Sequence, residues 1–197
     1  MNTTILSVLL ISSILLVGCG TSPKTYNYIL NSIERDTVPA MTAQNIVIKV
    51  GPVSIPDALD QDPIVSRTGT NSLLADDYHR WSGDYRDDIQ RVLGENISIL
   101  LPKSHIALGQ EIMLLPEDFQ VIINIREFYG QLGGSVILNV DWAVARRGKN
   151  KSVIVKKSVL QENTSSADYA DYVATQSRLL AKLSQQIAEE IGGQLKK

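Results

Sequence analysis

The run Phe119-Gln120-Val121-Ile122-Ile123-Asn124-Ile125-Arg126-Glu127-Phe128-Tyr129 places Val121, Ile123 and Ile125 in alternation with Gln120, Asn124 and Arg126. Two further runs, 136–146 and 153–161, follow it. In the first of these Val136, Leu138, Val140, Trp142 and Val144 alternate against Asn139 and Asp141. A period of two sends successive side chains to opposite faces of a strand, so each run has one buried and one wet face. The connections, Gly130 to Gly134 and Arg147-Gly148-Lys149-Asn150, carry turn residues. The three runs therefore form an antiparallel meander covered on one side only.

Helices on both sides of it in the chain supply the cover. Asp84 is a good N-cap, with Asp87 and Asp88 in the first turn, where the helix dipole favours negative charge. Ile89, Val92, Leu93, Ile97 and Leu100 follow at helical spacing, and Pro102 ends the helix. Gly94 and Asn96, weak helix formers within it, imply close packing against a sheet. The last helix starts from Ser165, with Asp168 completing a capping box. Its stripe is Tyr169, Tyr172, Val173, Leu179, Leu180, Leu183, Ile187 and Ile191, an ordinary core helix, the alternative being that the two tyrosines lie at its rim for a subunit contact; Gly192-Gly193 lets its end fray.

Upstream, 26–30 reads as a first strand, 31–44 as a loop, and 46–50 as a buried strand closed by Gly51-Pro52; 105–108 is a further short strand. The fold class is α+β: a single domain over 26–197, a mixed or antiparallel sheet with two long helices packed on one face.

Between strand and helix lies an irregular arm, 53–81. Pro52, Pro56 and Pro63 forbid regular helix there. Ile64 to Arg67 and Leu73 to Tyr78 pair around Thr68-Gly69-Thr70-Asn71. Ile55, Leu59 and Trp81 are expected to be exposed on this arm, beside Arg67 and Arg80. Trp and Arg are common interface anchors, so these five residues are the candidate partner surface. The alternative is a hairpin folded back on its own sheet.

The chain opens on an apolar run, Ile5 to Val17, that ends Leu16-Val17-Gly18-Cys19. It is too short for a permanent membrane span but suits the core of a signal peptide. Its ending resembles the bacterial lipobox, in which the cysteine thiol receives diacylglycerol. Residues 1–18 are then a signal peptide, and 19–25 a lipidated cysteine and tether. Cys19 is the one cysteine in the sequence, so no disulfide forms within the chain. With Gly20 rather than Asp after the cysteine, export to the outer membrane is expected. A formal charge of −2 argues against nucleic acid as a partner.

Chemistry-bearing motifs are sparse. His79 and His105 are the two histidines. Asp77 and His79 on one strand face lack the further convergent ligands a metal needs. Asp57, Asp60 and Asp62 do not have calcium-loop spacing. The expectation is no catalytic centre, no metal and no cofactor other than covalent lipid on Cys19.

The lipobox, the Tyr-x-Tyr strand, Val50-Gly51-Pro52-Val53-Ser54-Ile55-Pro56, Leu59-Asp60, Ile64-Val65-Ser66-Arg67 and Tyr78-His79-Arg80-Trp81 occur in an order that resembles the PqiC-type ABC-transport auxiliary lipoproteins. Asn96 to Pro102 matches that family's Asn-x-x-x-Leu-Leu-Pro helix end. The resemblance implies a non-enzymatic outer-membrane subunit of an MCE-type (mammalian cell entry) lipid transport system. It would dock the periplasmic end of an MCE-domain tunnel and form a homo-oligomer, plausibly a ring. A monomeric periplasmic lipid-binding carrier is the competing reading.

Overall fold

The computed structural model describes residues 23–35, 45–109, 116–148 and 151–196. Cys19, the leader, most of the loop after Arg35, and Lys149-Asn150 of the last hairpin turn lie outside them. Eight strands and two helices follow in the order β1 (Tyr26–Tyr28), β2 (Ile46–Ser54), β3 (Pro63–Gly69), β4 (Ser72–Trp81), α1 (Tyr85–Leu100), β5 (Ser104–Ala107), β6 (Phe119–Gly130), β7 (Ser135–Arg146), β8 (Ser152–Asn163) and α2 (Tyr169–Leu195).

The meander is present as β6-β7-β8, antiparallel throughout, and β2 and β5 extend it in parallel to give the order β5-β2-β6-β7-β8. Its inner face carries Val121, Ile123, Ile125, Val136, Leu138, Val140, Trp142 and Val144, all buried. Both helices lie on that face: α1 packs on β2 and β5, α2 on β7 and β8, and each on the other. The domain is α+β with mixed sheets and two helices. The arm and first strand do not join the large sheet. They make a second one, β1-β4-β3, with β1 parallel to β4 and β3 antiparallel to it.

Local choices follow from single residues. Gly94 faces β5 so closely that a Cβ would lie 2.5 Å from Leu108 Cδ2 and 3.1 Å from Ile106 Cγ2. That is the close packing its presence in a helix implies. Gly51 has a φ of +118°, open to glycine, and marks the register shift between Val50 and Val53 where β2 bulges before pairing with β6 resumes. The two carbonyls freed there are taken up by Gln90 Nε2, 2.9 Å from Val50 O, and Gln120 Nε2, 3.1 Å from Gly51 O.

The last helix departs from expectation at both ends. It begins at Tyr169 with Asp168 as cap residue, three positions beyond the capping serine read from the sequence. The Asp171 carboxylate explains the delay: it accepts from the backbone N–H of Ser165 (2.5 Å) and Ser166 (2.7 Å), which ties 165–168 into a turn outside the helix. At the other end Gly192-Gly193 does not fray the helix, which runs on to Leu195. Arg146 Nη1 donates to Gln194 O at 2.6 Å and Ser152 Oγ to Gln194 Oε1 at 2.9 Å, so β7 and β8 hold the terminal turn.

The stretch that follows β1 has no strand partner and satisfies its backbone through helix side chains. Leu30 N donates to Asp88 Oδ2 (2.8 Å), Asn31 N to Ser177 Oγ (3.1 Å) and Ile33 N to Asn96 Oδ1 (2.8 Å), while Leu30 O accepts from Arg91 Nη2 (2.7 Å). Asn96, fully buried, also donates to Ser184 Oγ at 3.2 Å, joining α1, α2 and this strap. Asn96→Ala removes the acceptor of a partly buried N–H, an orphaning that costs about 1–3 kcal/mol. The expected result is a lower denaturant midpoint with an unchanged slope. A midpoint equal to that of the parent would show that the strap is not held through Asn96.

Candidate functional site

The residues singled out by the sequence divide in the structure into two groups. Leu59 and Trp81, expected on the surface, are 3% and 7% exposed and belong to the core. Trp81 ends β4, where the chain turns inward to start α1. Its ring stacks on Tyr85 at 4.2 Å between centroids, and Tyr85 lies 6.2 Å from Phe128. Leu59 sits in a turn closed by its N–H on Pro56 O at 2.8 Å, which folds it under the arm. The prolines shape a cap over the core here, so irregular backbone does not mean solvent exposure. Ile55, Arg67 and Arg80 keep partial exposure. Arg67 pairs with Glu127 at 3.1 Å and lies over the Tyr129 ring at 4.9 Å. Arg80 pairs with Asp62 at 2.6 Å.

Both histidines are placed. His105 is exposed on β5. His79 is packed between two rings, with Tyr26 at 5.3 Å and Tyr169 at 3.9 Å, both stacked, and its Nδ1 is 2.7 Å from Tyr28 Oη. The β1–β4 register sets this up by placing Tyr26 opposite His79. Tyr169 Oη donates to Asp76 Oδ2 at 3.0 Å. Burial, and then the Asp76 carboxylate it donates to, push the Tyr169 phenol up to about 12. Asp77 takes no part in this cluster. Among the described residues no three or more of His, Cys, Asp and Glu converge as metal ligands would. The cluster ties β1 and β4 to the start of α2, and its aromatic faces are already occupied by one another.

Tyr172 is the hinge pin between the two sheets. Fully buried rather than at the helix rim, its hydroxyl donates to Val65 O of β3 at 2.9 Å and accepts from Gly130 N of β6 at 3.0 Å. Burial raises its phenol well above the ordinary tyrosine value, so it stays protonated and able to donate. Gly130 admits no side chain: a Cβ would lie 2.0 Å from Ser135 O. None of these couplings is legible in the linear order, because each joins residues more than forty positions apart.

Apart from Ile29, Leu108 and Ile122, the exposed large apolar side chains among the described residues gather in two places. One is the β3–β4 hairpin and the strand beside it: Leu73 is 41% exposed, Leu74 46%, Tyr78 49% and Tyr26 46%. Leu73-Leu74 carried a signal in the sequence, since adjacent strand residues point to opposite faces and a hairpin arm cannot bury both. The other is the outer face of β8, with Val153, Val155 and Val159 all more than 60% exposed. An open groove of about 390 Å³ lies where β1 meets α1, lined by Tyr28, Ile29 and Trp81 and by Asp84, Asp87 and Asp88. No helix among the described residues is long and apolar enough to cross a membrane.

Among the described residues, a three-stranded cap is locked to a five-stranded sheet through the Tyr172 hydroxyl. The family model for the ABC-type transport auxiliary lipoprotein component matches residues 28–188, and the chain belongs to that family. It is 22% identical over 183 residues to the intermembrane transport lipoprotein PqiC of Escherichia coli (strain K12), covering 92% of this chain and 94% of that one. The family read from the arm and strand motifs is therefore the right one.

Two crystal structures share the fold. One is of an uncharacterized protein, with a TM-score of 0.71, 22% identity, and coverage of 86% of this chain and 99% of the other. The second is of a Xanthomonas campestris protein, with a TM-score of 0.69, 16% identity, and coverage of 87% and 98%. As a lipoprotein of a transport system, the chain is membrane-associated.

Proposed function

We propose that the chain is the outer-membrane lipoprotein subunit of an MCE-type intermembrane lipid transport system, anchored through acylated Cys19 and without enzymatic activity. In this reading it docks the periplasmic end of a tunnel formed by an MCE-domain membrane protein. The observation that carries the proposal is the near full-length similarity to an intermembrane transport lipoprotein, 92% of this chain against 94% of that one. The half-exposed side chains Ile55, Arg67 and Arg80 remain the candidate partner surface on the arm, with Leu59 and Trp81 shaping it from beneath. Assembly into a homo-oligomeric ring is part of the proposal. Its support is β8, a twelve-residue edge strand with valines on its outer face, a surface of the kind that second copies cover.

In-cell photocrosslinking from the arm, combined with membrane fractionation of the native protein, tests this. The expected result is recovery in the outer membrane, crosslinks to an MCE-domain protein, and a native mass of several copies. Recovery in the inner membrane would overturn the location. A monomer that carries co-purified lipid, with no envelope protein crosslinked, would favour the carrier over the docking subunit.

A further inference from the structure

The parallel pairing of β1 with β4 fixes the direction in which β1 leads back toward the N-terminus. Tyr26 lies opposite His79 and Tyr28 opposite Trp81. Moving back along β1 toward the N-terminus therefore moves back along β4 toward Ser72, which is the tip of the β3–β4 hairpin. From Tyr26 to Cys19 is seven residues, a reach of at most about 25 Å. From His79 to Ser72 is also seven residues, about 23 Å of strand at roughly 3.3 Å each. A tether of this length is thus long enough to bring Cys19 level with the hairpin tip.

The tip is dressed for such a neighbour. From Thr68 to Ala75 there is no charged side chain, and Leu73 and Leu74 are 41% and 46% exposed. Tyr26 and Tyr78 stand behind them at 46% and 49%, the residue type that settles at a membrane–water boundary. The first acids, Asp76 and Asp77, come only after the leucines; Asp76 is already engaged by Tyr169 Oη and by the Tyr78 N–H at 2.9 Å.

We infer that the β3–β4 hairpin is a second membrane contact, with Leu73 and Leu74 seated in the interface of the leaflet that holds the Cys19 lipid. It rests on Cys19 being the acylated residue. A lipid anchor alone lets the domain tumble; a second, protein-borne contact fixes its tilt. The hairpin then sets which faces of the domain point away from the membrane and along it.

The test uses the full, acylated chain in vesicles of phosphatidylethanolamine and phosphatidylglycerol, with mass spectrometry confirming the lipid. With Cys19 blocked by its acyl chain, Leu74→Cys provides one free thiol for an environment-sensitive fluorophore, and His105→Cys, exposed on β5, provides a reference site. Lipids brominated near the glycerol backbone act as quenchers. The Leu74 label should be quenched, as a side chain in the interfacial region would be, while the His105 label is unaffected. A vesicle-bound protein whose Leu74 label is not quenched overturns the hairpin contact and leaves the lipoprotein reading intact. So does a Leu74 label shielded from water but not reached by bromine, which would assign the tip to a second copy or another protein. Equal quenching at both sites overturns it as nonspecific adsorption. A chain that carries no lipid and does not bind vesicles instead brings down the anchor on which the inference stands.

Discussion

Trp81→Ala is expected to destabilise the domain by about 3–5 kcal/mol, the range for truncating a buried large aromatic. Trp81 is 7% exposed and stacks on Tyr85, which is itself buried beside Phe128, so the vacated volume lies where cap, helix and large sheet meet. The backbone there is also committed: Trp81 N donates to Asp62 O and Ser82 N to Tyr28 O, both at 2.8 Å, so the chain cannot simply close the gap. Thermal unfolding and native mass measured on the same variant distinguish core from interface. A lowered transition with any loss of assembly following from it is the expected outcome. An unchanged transition together with loss of the oligomer would return Trp81 to the role of a partner anchor.

Cys19→Ser is expected to have the larger consequence in cells and almost none for the fold. Membrane attachment through acyl chains contributes about 0.8 kcal/mol per buried methylene, so losing the thiol that carries them removes nearly all of the anchoring. The variant should accumulate as an uncleaved precursor or as free periplasmic protein, with a melting transition equal to that of the parent. Every core residue from Leu30 to Ile191 lies downstream of the tether, which is why stability and attachment separate. Normal processing and retention of the serine variant at the membrane would refute acylation at this residue.

The large sheet was legible because its physics is local. Alternation over 119–161 marks both the strands and their buried face, and a period of two leaves no freedom about which residues go inside. The first helix was equally plain from Asp84 and the Ile89–Leu100 stripe. The second sheet was not separable from the first, since β1 and β4 sit more than fifty residues apart and share three paired positions. Trp81 was misplaced for a definite reason: prolines signal irregular backbone, and irregular backbone was equated with surface. The structure keeps the irregularity and buries the ring, because β4 ends by turning into the core. Gly94 was read correctly as a sign of close packing on the sheet, but Asn96 turns to the strap and α2 instead: its partner, the N–H of Ile33, lies sixty-three positions away and has no local signature. The family, by contrast, was readable from the order of short pieces, none specific alone.

The strap from Leu30 to Ile33 has a mechanical consequence. A lipoprotein pulled by a moving partner is loaded at its N-terminus, through the tether, β1 and then the strap. The three paired residues of β1 take that force first, in shear along β4. Behind them stand Asp88, Arg91, Asn96 and Ser177, which grip the strap from two different helices. Strain between anchor and partner therefore meets β1 and the strap before the large sheet, and it passes into the helices where Leu30 and Asn96 are fully buried.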